Sequence, residues 1–127
     1  MGTGPDSAEP GSVARDRAVD ALCIEDEIDW RPEYLAQSAW LEHIPFAFWI
    51  VRILRPRLVV ELGTHWGASY GAFCQTVERL RLNTRCYAVD TWRGDEHTGT
   101  YGEDVFTGIH SLNEARWKDF STLLRMT

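Results

Sequence analysis

The strongest constraint on the fold is a short apolar run that ends in a glycine-bounded turn and leads into an amphipathic stretch. Leu58-Val59-Val60-Glu61-Leu62 lies between Pro56 and Gly63 and is apolar on both alternating faces except at Glu61. A run of this kind reads as a parallel strand buried on both sides. After the turn, Tyr70, Phe73, Cys74, Val77 and Leu80 recur at helical spacing, which predicts a helix over Ala68 to Leu82. Arg79 and Arg81 suit its negative end, and Asn83 suits its stop. Arg85 to Val89 is a second strand that ends at Asp90. Strand, helix and strand with short links make a βαβ unit, whose crossover is expected to be right-handed.

The flanks are less regular. Residues 1–35 read as a flexible tail and lead-in, with a weakly amphipathic helix over Val13 to Leu22. Residues 36–127 form the expected domain. Gln37 to Leu54 is apolar nearly all round, which predicts a buried helical segment. Pro45 belongs at the first position of a helix rather than inside one, so a helix is expected from there to about Arg55, where Pro56 stops it. His43, just before that start, reads as a packing or capping residue or as a substrate-side group. Thr91 to Gly102 is a polar, glycine-rich loop. Two closing helices are expected, the first around Val105, Phe106 and Ile109. The second opens on the capping-box pattern Ser111-Leu112-Asn113-Glu114 and uses Trp117, Phe120, Leu123 and Leu124.

The turn Glu61-Leu62-Gly63-Thr64-His65-Trp66-Gly67 carries the chemistry. A ligand at the carboxyl end of a parallel strand needs a sharp turn, a close backbone approach and free N–H groups. Glycine serves the first two, and the first turn of the next helix supplies the third. Ser69 adds a hydroxyl there. The spacing is Glu-x-Gly-x-x-x-Gly. A dinucleotide fingerprint needs a glycine two places after the first, where this chain has His65, so a pyrophosphate cofactor is disfavoured. Asp90 ends the neighbouring strand, where a carboxylate can accept from two vicinal ribose hydroxyls or can cap a turn. Glu61 is costly to bury unpaired, so it needs either a structural partner or a ligand.

Charge and cysteine usage narrow the function classes. The formal charge of −6 argues against a nucleic-acid or membrane-surface partner, since neither phosphate-rich surface is neutralised. The longest apolar stretch, Ile44 to Leu54, is too short to span a bilayer and is broken by Pro45 and Arg52. Cys23, Cys74 and Cys86 form no C-x-x-C pair, so buried thiols in a reducing, cytoplasmic setting are expected rather than zinc or a disulfide framework. The N-terminus has no secretory pattern. Asp95-Glu96-His97 are adjacent and lack companion ligands, so no metal is expected. Asp95 or His97 is open to a general-base role that no spacing establishes, and the catalytic group is unassigned.

Two stretches resemble the class I S-adenosylmethionine-dependent methyltransferases: Val59 to Tyr70 around the glycine turn, and Tyr87-Ala88-Val89-Asp90-Thr91-Trp92-Arg93-Gly94-Asp95. The likeness runs from about Trp40 to Phe120. It is similar to the subgroup with small-molecule and sugar O-methyltransferases. It implies an α/β, partial Rossmann-like fold with helices followed by the parallel βαβ unit. It also implies S-adenosyl-L-methionine as cofactor, held by Glu61, Gly63, Thr64, Gly67, Ser69 and Asp90, and a small hydroxylated acceptor. Glu61, Gly63 and Gly67 then frame the methionine part, and Asp90 holds the ribose.

The family's sheet has seven strands, so the chain is expected to be truncated, weakly active or inactive alone, and completed by another chain or a fused domain. The alternative is a non-catalytic nucleoside- or protein-binding α/β module.

Overall fold

The computed structural model describes Glu27 and residues 29–126. The helix expected over Val13 to Leu22, and Cys23, lie outside the described residues. The fold is α/β, with three α-helices among the described residues: α1 (Ile44–Leu54), α2 (Ala68–Arg79) and α3 (Glu103–Leu112). Strands β1 (Leu58–Leu62), β2 (Arg85–Asp90) and β5 (Ser121–Arg125) form a parallel sheet in the order β1-β2-β5. Two-residue strands β3 (Gly94–Asp95) and β4 (Gly99–Thr100) pair antiparallel within the polar, glycine-rich loop.

Local chemistry explains the helix ends. Pro45 sits in the first turn of α1, as its fixed φ and missing N–H favour. Arg55 ends that helix in the left-handed conformation, and its N–H donates to the Val51 carbonyl. The chain then enters β1, where the Thr84 hydroxyl donates to the Pro56 carbonyl at 2.6 Å and Arg85 N–H donates to the Arg57 carbonyl at 3.0 Å. These two bonds set the ends of β1 and β2 level. Helix α2 stops at Arg79, earlier than its pattern suggested, because Arg81 turns left-handed (φ 50°).

Strand β5 corrects the second closing helix. Helix α3 does not restart at Ser111; it runs through Leu112 into a single wide π-turn, Asn113–Trp117. Ser121 to Arg125 then pairs with β2. The physical reason is the free edge of β2, whose backbone groups need partners. Cys86 N–H donates to the Phe120 carbonyl at 2.8 Å, and Met126 N–H donates to the Asp90 carbonyl at 2.9 Å. A buried chain locks β5 in place. Tyr70 donates its hydroxyl proton to Ser121 Oγ at 2.6 Å, because the Ser121 proton goes to Asn113 Oδ1 at 2.5 Å.

All three helices serve one face of the sheet. Cys86 and Ala88 of β2 sit there in a core with Tyr70, Cys74 and Val77 of α2, Val105 and Ile109 of α3, Val51 of α1, and Trp117. A second cluster, Ile44, Ala47, Phe48 and Ala72, joins α1 to α2. The lead-in packs on it. Trp30 lies against Phe48, with Arg79 over the Trp30 ring, and buried Glu27 pairs with Arg52.

Two burial expectations are corrected. Strand β1 is not buried on both faces: Leu58, Val60 and Leu62 are 55%, 51% and 76% exposed. Nor is α1 buried all round, since Phe46 and Leu54 face outward. Parallel register puts Leu62, Val89 and Leu124 on one face, beside Val60, Tyr87 and Thr122. Among the described residues, no helix packs on that face. Among the described residues, no helix is long and apolar enough to cross a membrane.

Candidate functional site

The carboxyl ends of β1 and β2 open into two recesses that share Leu62, Gly63, His65, Thr98 and Tyr101 as a common wall. The larger, about 1070 Å³, lies over the glycine turn and the start of α2 and is roofed by Gln37 to Leu41. The smaller, about 360 Å³, lies beside Asp90, Asp95 and Met126. The six residues expected around a cofactor divide between them: Glu61, Gly63, Thr64, Gly67 and Ser69 line the larger, and Gly63 and Asp90 line the smaller.

The turn is built from left-handed residues. Gly63 (φ 78°), His65 (φ 53°) and Gly67 (φ 84°) reverse the chain within five residues. Gly63 N–H donates to the Val89 carbonyl at 2.8 Å, which ties the turn to the end of β2. At Gly67 two demands coincide. Its φ disfavours any Cβ, and a Cβ there would stand 2.5 Å from Ile109 Cδ1. Gly67 caps α2 without a side chain, so the first-turn amides of a twelve-residue helix face the larger recess beside Ala68 and Ser69.

Glu61 reaches under this helix start. Its Oε1 accepts from the Ser69 hydroxyl at 2.5 Å. Its Oε2, and the Thr64 hydroxyl oxygen, are buried without a hydrogen bond of good geometry. Burial pushes the Glu61 carboxyl above the usual carboxylate range; the Ser69 and Thr64 hydroxyls oppose that rise, and Asp90 adds to it. Burying a carboxylate is expensive in a folded chain, and Glu61 and Thr64 both border the larger recess.

Asp90 has definite work within the fold. Its Oδ2 accepts from His65 N–H at 2.7 Å, and its Oδ1 accepts from Trp92 N–H at 2.8 Å. Each carboxylate oxygen retains a second lone pair. The turn-capping role foreseen for Asp90 is therefore present, and the residue also lines the smaller recess.

Three residues of the site were not marked by sequence. Tyr101 stacks on His65 with ring centroids 4.6 Å apart and forms the shared wall. Burial raises its hydroxyl pKa, and Asp90 and Asp95 raise it further. Trp92, 1% exposed, donates its indole N–H to the His65 carbonyl at 2.9 Å. Tyr34 donates to the Trp66 carbonyl at 2.6 Å. An aromatic residue isolated in a polar loop was the only signal for Tyr101. Tyr34 sits in a stretch with no regular pattern.

The polar loop is less suited to proton abstraction than its composition suggested. Asp95 Oδ1 accepts from His97 N–H, Thr98 N–H and the Thr98 hydroxyl, at 2.7 to 2.9 Å. Those bonds hold its carboxyl below the usual range, which weakens it as a base. His97 is exposed, and His43 is exposed and stacked on Trp40. Among the described residues, no group of three His, Cys, Asp or Glu side chains converges on a metal position.

Comparison with known proteins adds one relative. The chain is 54% identical over 90 residues to the uncharacterized protein y4gI of Sinorhizobium fredii, which covers 71% of this chain and 10% of that protein. The chain thus spans about a tenth of the length of the relative it matches. No protein-family model and no solved structure matches it.

Proposed function

We propose that this chain is the S-adenosylmethionine-binding part of a class I methyltransferase, acting with further chain or a partner on a small hydroxylated or sugar-type acceptor. The observation that carries the reading is the charge around the recesses. Glu61, Asp90 and Asp95 line them, and among the described residues no lysine or arginine does. A dinucleotide pyrophosphate would meet carboxylates with no cation to offset them. A sulfonium with an ammonium group meets the opposite sign. The Glu61 carboxylate and the Thr64 hydroxyl beside it line the larger recess and offer acceptors to that ammonium group. The α2 amides suit its carboxylate, and the outward lone pairs of Asp90 suit two ribose hydroxyls. When bound, S-adenosylmethionine supplies a methyl group on a positive sulfur. Glu61, Thr64, Ser69 and Asp90 would hold and orient the cofactor, with Tyr101 and His65 on the wall that the two recesses share.

The partial Rossmann-like reading of the fold draws support from a sheet face and a β1 edge that no described element covers. Parallel sheets are otherwise covered on both sides. The buried free thiols of Cys74 and Cys86 agree with a reducing, cytoplasmic setting. Turnover by this chain alone is expected to be weak or absent.

The second reading, a non-catalytic module, is favoured by one observation: both Asp90 oxygens already hold backbone N–H groups. Titration calorimetry separates the two. Binding of S-adenosylhomocysteine that is lost in Asp90→Ala, with no binding of NADH, supports the methyltransferase reading. Affinity for NADH alone sinks it, and no affinity for either supports the module.

A further inference from the structure

Two successive carbonyls of the glycine turn are held by aromatic side chains from distant parts of the chain. The His65 carbonyl accepts from the Trp92 indole N–H, 27 positions later, and the Trp66 carbonyl accepts from the Tyr34 hydroxyl, 32 positions earlier. The His65 N–H is held as well, by Asp90. Both donors are set in place by packing. Trp92 is buried against Phe106, at 5.0 Å between rings. The Tyr34 ring lies against Gly71 of α2, where a Cβ would approach it to 2.9 Å.

We propose that Tyr34 and Trp92 are positioning residues that fix which way the peptides of the turn face, and so present the Trp66 amide to the cofactor while the Gly63, His65 and Gly67 amides stay bonded within the fold; this rests on the reading above. The peptides here are trans, since the described chain contains no cis bond, so each C=O and the N–H of the same peptide point in opposite directions. Drawing the His65 carbonyl onto buried Trp92 turns the Trp66 N–H away from the core, and Trp66 lines the larger recess. The constraint has a reason to exist. His65 is a non-glycine residue at positive φ, a conformation that relaxes by peptide rotation unless its surroundings hold it. Asp90 fixes the near side of His65, Trp92 its far side, and Tyr34 the next peptide. Without these donors the turn keeps its sequence but loses its preorganisation, and binding then bears the ordering cost.

Tyr34→Phe removes one oxygen and keeps the ring, and Trp92→Phe removes the indole donor with some volume. Amide hydrogen exchange and S-adenosylhomocysteine calorimetry are read on the full chain. The expected result for Tyr34→Phe is faster exchange confined to residues 64–68, an unchanged melting temperature, and affinity weaker by about threefold to tenfold, the range of one hydrogen bond. Trp92→Phe is expected to do the same with some loss of melting temperature. Unchanged exchange in the turn of Tyr34→Phe overturns the proposal, as does faster exchange with unchanged affinity. If Trp92→Phe fails to fold, Tyr34→Phe decides alone. Faster turn-confined exchange in Tyr34→Phe, where the wild-type chain itself binds no S-adenosylhomocysteine, supports the clamp and removes the cofactor from it, a result distinct from failure of the clamp.

Discussion

The two faces of the β1-β2-β5 sheet share the same backbone and differ in almost everything else. On the helix-covered face, Cys86 and Ala88 are fully buried and Tyr70, Ser121 and Asn113 form a closed hydrogen-bond chain. On the other, Leu58, Val60, Leu62, Leu124 and Met126 are more than two-fifths exposed. Apolar residues populate both, so composition alone does not tell them apart. The difference lies in direction: the connections through α2 and α3 both return on the same side, and among the described residues none covers the opposite one. The covered face carries the free energy of folding, and the carboxyl end of the same sheet carries the site.

That contrast is sharpest at Trp117, which is 1% exposed beneath the covered face. Trp117→Ala is expected to cost about 3–5 kcal/mol in urea unfolding, the usual range for emptying a large aromatic site. A loss under about 1 kcal/mol would mean the two faces do not differ as described. Next in size is Gly67→Ala. Its positive φ and the approach to Ile109 Cδ1 together predict a loss of about 1–3 kcal/mol. Gly63→Ala offers the control, because a Cβ there meets nothing within 4 Å and only the φ strain remains.

A smaller effect depends on pH. Burial raises the folded-state pKa of Glu61, so the folded chain keeps its proton to a higher pH than the unfolded chain does. Its contribution is favourable below the unfolded carboxylate value and is lost as pH rises through the folded one. Stability of the wild-type chain is therefore expected to fall with rising pH just above the ordinary carboxylate range. Glu61→Gln should flatten that fall, as measured by melting temperature against pH; an unchanged profile would show that Glu61 is not the group responsible.

The smallest expected effect is on the open face. Val60→Thr with Leu62→Ser should move the unfolding free energy by no more than about 0.5 kcal/mol, as surface substitutions do. A larger loss would show that this face is covered in solution.

Much of this was legible before any coordinates. β1, β2 and α2 announced themselves by periodicity, Pro45 fixed the start of α1, and Gly63 and Gly67 marked the turn. Strand β5 was not legible, because Ser121-Thr122-Leu123-Leu124-Arg125 is too short for its pattern to separate strand from helix. Its state is set by the unpaired edge of β2, 35 positions away in register. In the site, Glu61, Ser69 and Asp90 could be named because carboxylates and hydroxyls at strand ends are conspicuous. Tyr34 and Trp92 could not, because their roles depend on which carbonyls they meet.

The sequence by itself determined the strand–turn–helix–strand unit, since those preferences are local: alternation, helical spacing and the glycine positions. Tertiary structure decided which face each apolar residue shows, that the chain's last segment is a strand, and that Asp90 serves the fold as well as the recess. These depend on hydrogen-bonding partners and packing surfaces contributed by residues far apart in sequence, and no local pattern encodes which of them will meet.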